Sequence, residues 1–91
     1  MSPDGTLPRP RKDLMSRPMD TELALFDVER GRVHTLNASA ALVWEALEGA
    51  RERSELVELL RESFGLGRRE AEEGVEEALE AFREADLVEE G

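Results

Sequence analysis

The chain contains no cysteine and no tyrosine, and only one tryptophan, one histidine and three phenylalanines among its 91 residues. Without cysteine there are no disulfides, thiolate metal sites or thiol nucleophiles, and nothing demands an oxidising compartment. Aromatics make up 4% and hydrophobic residues 40%, so a core must be built mainly from Leu, Val and Ala. Long apolar runs are missing as well. The N-terminal stretch MSPDGTLPRPRKD lacks the apolar core of a signal peptide, and no run approaches membrane-spanning length. The expectation is one cytoplasmic domain, near the lower size limit for a self-sufficient core.

Basic charge is the other shortage. The formal net charge is −10, and its placement is uneven: residues 1–44 balance six acids with six bases, whereas residues 45–91 hold sixteen acids and six bases. Such a surface repels phosphate backbones, whose binding relies on Lys and Arg releasing counterions. Neither nucleic acid nor membrane is an expected partner. The acidic half reads first as solvated helix faces.

What is present is a switch of period. Residues 1–13 hold three of the four prolines and are expected to form a disordered tail, with the domain occupying 14–88. Leu14–Met19 reads as an extended edge segment, because Pro18 cannot donate to a ladder. Glu22–Val28 alternates Leu23 and Leu25 against Ala24 and Phe26, and Arg32–Leu36 pairs back after a turn over Asp27–Gly31. Asp27 can cap that turn and Gly31 supplies a positive φ. Asn37 is a good N-cap for a helix over Ala38–Glu48. A second helix is predicted from Arg53 to Phe64, with Leu56, Leu59, Leu60 and Phe64 at helical spacing. A third runs from about Arg68 to Ala85. Its apolar arc is Ala71, Val75, Ala78, Leu79 and Phe82; Glu72, Glu73, Glu76, Glu77, Glu80 and Glu84 cover the opposite side. One flank of the arc holds only Gly74, Ala78, Ala81 and Ala85, which lets another backbone approach closely. Trp44 reads as a core residue.

No catalytic set can be assembled. His34 is alone on a predicted strand, without a nucleophile or an orienting partner. The glutamate rows of the third helix recur every four residues because its outer face is acidic. Gly65-Leu66-Gly67 lacks the residues of a phosphate-binding loop. No enzyme activity, cofactor or metal is expected. A hairpin and three helices also suit a winged-helix transcription regulator, but a recognition helix should project Arg, Lys, Asn or Gln, not glutamates. A small acidic adaptor docking a basic partner is a third reading.

The residues SRPMDTELALFD (16–27), the turn ERGR, VHTLNASAALVWEALEG (33–49), SELVELLRESFGL and VEEALEAFREADLV (75–88) together resemble the PqqD family, also called RiPP recognition elements. The chain departs from the family pattern in having Glu52 before the second helix, Gly67-Arg68 opening the third, Gly74 within it and Asp86 where glycine is usual. The resemblance implies an α+β, winged-helix-like fold, a three-stranded antiparallel sheet followed by three helices. It also implies a non-catalytic peptide chaperone that binds a precursor leader peptide by strand addition and delivers it to a modifying enzyme. That enzyme would be a radical SAM enzyme or a lasso-type leader peptidase. The peptide-binding residues it implies are Arg32, Val33, His34, Thr35 and Leu36 on the strand, facing Ala78, Ala81, Phe82 and Ala85 on the third helix. Alternation alone leaves open whether Val33/Thr35 or His34/Leu36 faces the groove, and Leu36 can instead belong to the core. The open edge can equally be satisfied by a homodimer or by the N-terminal segment.

Overall fold

A computed structural model describes residues 7–89. Its elements in chain order are β1 (Arg9–Pro10), β2 (Met15–Met19), β3 (Glu22–Asp27), β4 (Arg32–Leu36), α1 (Ala38–Leu47), α2 (Arg53–Phe64), α3 (Arg68–Glu84) and β5 (Val88–Glu89). Strands β2, β3 and β4 form an antiparallel meander in that order, and β1 pairs with β5 in a separate two-stranded piece.

Local signals set the meander. Met19 pairs with Glu22 across a tight turn whose residue Asp20 sits at φ 64, a conformation Asp tolerates better than most side chains. The β3–β4 turn is held by the Asp27 side chain, which accepts from the Arg30 N–H at 3.2 Å, and Gly31 takes φ 65. In register, Leu23 faces Leu36 and Leu25 faces His34. Cross-strand partners share a face. Leu23, Leu25, His34 and Leu36 therefore point one way, and Ala24, Phe26, Val33 and Thr35 the other. Leu23, Leu25 and Leu36 are buried with the helices, while Val33 is 61% exposed on the outer face.

Each helix begins and ends for an identifiable reason. Asn37 Oδ1 accepts the Ala40 N–H at 2.9 Å and starts α1. Glu55 reaches back to the N–H groups of Arg51 and Glu52, which offsets the absence of a hydroxyl cap before α2. Gly65, at φ 66, stops α2. Glu70 accepts from the Gly67 N–H at the start of α3. At the far end Leu87 N–H bonds Phe82 O and Asp86 N–H bonds Arg83 O, with Asp86 at φ 58. This is a Schellman ending built on an aspartate. The buried residues of α3 are the predicted arc, Ala71, Val75, Ala78, Leu79 and Phe82. Trp44 of α1 meets Phe82 edge to face, with ring centroids 5.1 Å apart.

Three expectations are corrected. Residues 7–13 are not a tail: Leu7 is buried, Arg9 and Pro10 pair with Glu89 and Val88, and Arg11 N–H bonds Leu87 O. The pairing joins opposite ends of the chain, and its partner strand is too short to advertise itself. The remainder of the predicted tail, residues 1–6, lies outside the described residues. Phe64 is 42% exposed, since α2 turns Leu56, Val57 and Leu60 inward instead. The small flank of α3 is not all free: a Cβ on Gly74 would lie 3.2 Å from Leu60 Cδ1, so Gly74 admits the close approach of α2.

Two stability measurements follow from this packing. Leu7→Ala should lower unfolding free energy in urea by roughly 2–3 kcal/mol, at the low end for buried leucines because the arm can settle; a disordered tail would give no change. At position 74, alanine should be close to neutral, since a helix-propensity gain of about 1 kcal/mol opposes the tight Leu60 contact. Gly74→Val should destabilise by more than about 1 kcal/mol through overpacking.

Candidate functional site

A three-stranded sheet has two outer strands, here β2 and β4. They are not equivalent. Strand β2 carries Pro18, which has no N–H, and its five residues are all exposed. Strand β4, Arg32–Leu36, contains no proline, so every residue keeps both backbone groups. Its outer edge pairs with no strand among the described residues. Unpaired N–H and C=O groups in an extended row are a template for a further strand.

The structure also orients the side chains of that row. His34 and Leu36 turn toward the helices, Val33 and Thr35 away from them. Leu36 is buried in the core, His34 is half-buried, and Arg32, Val33 and Thr35 are exposed. The Nε2 atom of His34 is enclosed and has no hydrogen-bond partner among the described residues.

On α3, Ala78 and Phe82 are buried, Ala85 is half-buried against the core and Ala81 is exposed. Phe82 is fully buried against Trp44 and is not a surface residue. The Leu36 side chain is likewise buried in the core. Glu77 and Glu84, four residues before and three after Ala81 on the sequence, are exposed on the same side of the helix. Helix α3 packs mainly on α2, α1 and β5, and β4 mainly on β3 and α1. Helix α1 thus contacts both α3 and β4.

Near the β3–β4 turn lie ion pairs that the sequence alone did not reveal. Arg11 NH1 donates to Asp27 Oδ2 at 3.0 Å and to the Asp86 carbonyl at 2.9 Å, and its other nitrogens hold Asp13. Arg30 pairs with the Asp86 carboxylate. Asp27 is 1% exposed and the Arg11 side chain 10%, so this is a partly enclosed network. The hydrogen bond to Asp13, ahead of that to Asp27, holds the Arg11 guanidinium above its ordinary pKa. The same contact holds the Asp13 carboxyl below the ordinary 3.8. The one advance signal was Asp27 itself, an acid placed at the end of an apolar strand.

No group of three His, Asp or Glu side chains that could hold a metal occurs among the described residues, and no helix there is long and apolar enough to cross a membrane. A cleft of about 460 Å³ between α2 and α3 is lined by Arg53, Val57, Arg69 and Glu73, a mixture of both charges with no catalytic arrangement.

The family model for coenzyme PQQ synthesis protein D (PqqD) matches residues 22–88. Among solved structures, TbiB1 in complex with the TbiA(beta) leader peptide aligns with a TM-score of 0.77 at 21% identity, covering 88% of this chain and 93% of that one. Lasso peptide synthetase B1 complexed with the leader peptide aligns with a TM-score of 0.75, also at 21% identity, covering 89% of this chain and 94% of that one. Those likenesses establish the shared fold. No curated protein matches the sequence significantly.

The Arg11–Asp13 contact has a pH signature. Because the folded Asp13 carboxyl is depressed below 3.8, its contribution to stability is present above that value and is lost as pH falls through the lower folded one. Urea unfolding of wild type and Asp13→Asn should differ near neutral pH and converge in acid, once the folded Asp13 carboxyl is protonated.

Proposed function

This chain belongs to the PqqD family, and from that premise we propose that it is a non-catalytic peptide chaperone for the leader of a ribosomally made precursor peptide. The features that support the reading are the open, proline-free edge of β4 and, on α3, the exposed Ala81 and half-buried Ala85. The leader extends the sheet at Arg32–Leu36. Backbone hydrogen bonds supply sequence-tolerant affinity, and side-chain pockets read alternate leader residues. His34 and the small residues Ala78, Ala81 and Ala85 shape the helix side; Phe82 and Leu36 hold it from beneath. Both structural neighbours named above were captured with a leader peptide, which supports the same use of the fold here.

The bound precursor is handed to a modifying enzyme, a radical SAM enzyme or a lasso-type leader peptidase, in the cytoplasm. The chemistry of α3 argues against a DNA reader, since its exposed face carries Glu72, Glu73, Glu76, Glu77, Glu80 and Glu84. Glutamates beside Ala81 would also favour a leader with basic or neutral residues at that wall.

Proline substitution tests strand addition directly. In an antiparallel pair, neighbouring residues point their N–H groups to opposite edges. Of His34→Pro and Thr35→Pro, one therefore breaks the β3–β4 ladder and the other removes an outward donor. The variant that keeps wild-type melting should lose at least about tenfold in affinity for a fluorescent synthetic leader peptide that the wild-type protein binds. Unchanged affinity in that folded variant would rule out addition at β4. Ala81→Glu should weaken the same complex by bulk and charge without affecting stability.

A further inference from the structure

The walls of the proposed groove, β4 and α3, belong to different layers: α3 packs mainly on α2 and then on α1, and β4 mainly on β3 and then on α1. Something must fix their separation at the end remote from the α1 N-terminus. The single guanidinium of Arg11 touches both layers there: it donates to Asp27 at the end of β3 and to the carbonyl of Asp86 at the end of α3. Arg30, in the turn that leads into β4, pairs with the Asp86 carboxylate and approaches Asp27 within 4.0 Å. Arg11 lies on the N-terminal arm, outside the span that matches the family model. Asp86 occupies a left-handed position, φ 58, where glycine is the least strained residue.

We propose that Arg11, Arg30, Asp27 and Asp86 form a positioning clamp that sets the spacing between the β4 edge and α3 for an incoming leader strand. The inference rests on the β4 edge being the leader site. None of the four residues needs to touch the peptide. An added strand must lie about 4.8 Å from β4 while its inward side chains meet α3, so a small change in the gap is felt along the whole strand. Asp86 has a reason to replace glycine: the carboxylate gains Arg30 at the expense of backbone ease. The Arg30–Asp86 pair is exposed on both sides, 44% and 57%, and contributes little to stability. Its use lies in geometry. The N-terminal arm thereby becomes part of the binding apparatus, because it delivers Arg11.

Asp86→Gly separates this role from a merely structural one. Glycine relieves the left-handed strain and removes the carboxylate, so the melting temperature should stay level or rise while leader affinity falls threefold or more. Asp86→Asn, which also accepts the left-handed conformation, should lose affinity by a similar factor, and combining it with Arg30→Gln should add little further loss. The absence of native cysteine allows one nitroxide label to be placed at Ala81→Cys. Paramagnetic broadening of the Val33–Leu36 amides then reads the gap without any peptide. It should change in Asp86→Gly and in Arg30→Gln. Arg11→Gln strips the buried Asp27 of its cation and is expected to lower stability as well, so the decisive variants are those at Asp86 and Arg30. Unchanged broadening in both variants, or unchanged leader affinity in Asp86→Gly, would overturn the clamp. Failure of the leader reading shows differently: the folded proline variant of β4 would bind normally, and the label would still decide whether the clamp sets the gap.

Discussion

A carboxylate enclosed at the end of a strand must be met by a cation and by N–H donors, or it is too costly to keep charged. Asp27 is that group, and much of the molecule is arranged around it. The turn supplies Arg30 N–H, the N-terminal arm supplies Arg11, and Arg11 in turn collects the α3 terminus through the Asp86 carbonyl. The β1–β5 pairing holds the arm in place so that Arg11 can reach. One buried charge therefore organises contacts among a hairpin, a helix end and a segment from the far terminus. An apolar residue at position 27 would relieve the desolvation cost, yet it would also release both Arg11 and Arg30.

The remaining packing is economical. With few aromatics, the core depends on leucine, valine and alanine, and the Trp44–Phe82 pair joins α1 to α3 at the centre. Small residues divide their duties along the helix: Gly74 admits Leu60 of α2, whereas Ala81 stays exposed. The same compositional feature thus serves internal packing at one end and lies at the surface at the other.

Elements specified by neighbouring residues were legible in the sequence. Asn37, Gly65 and Gly31 mark boundaries through local backbone chemistry, and the five-residue buried arc of α3 follows from helical period. The β3–β4 edge was legible too, because a short connection leaves little choice of partner. What escaped was long-range. Residues 7–13 look like a disordered tail since prolines suppress any periodic signal, and their pairing depends on Val88 and Glu89 being brought back by α3. The facing of His34 and Leu36 required the register with Leu25 and Leu23. Phe82 was read correctly as part of the apolar arc, but its place beneath the wall became visible only once Trp44 was set against it.

The inequality of the two outer strands governs how the sheet can grow. Pro18 blunts β2, so head-to-tail stacking of copies through β2 and β4 would lose a ladder bond at each junction. Such heterologous contacts are the kind that propagate into fibres. Pairing of β4 with β4 about a two-fold axis is the remaining route, and it terminates after a single step. In the three-stranded sheet only one edge keeps every donor, so growth by strand addition at that edge stops after a single step.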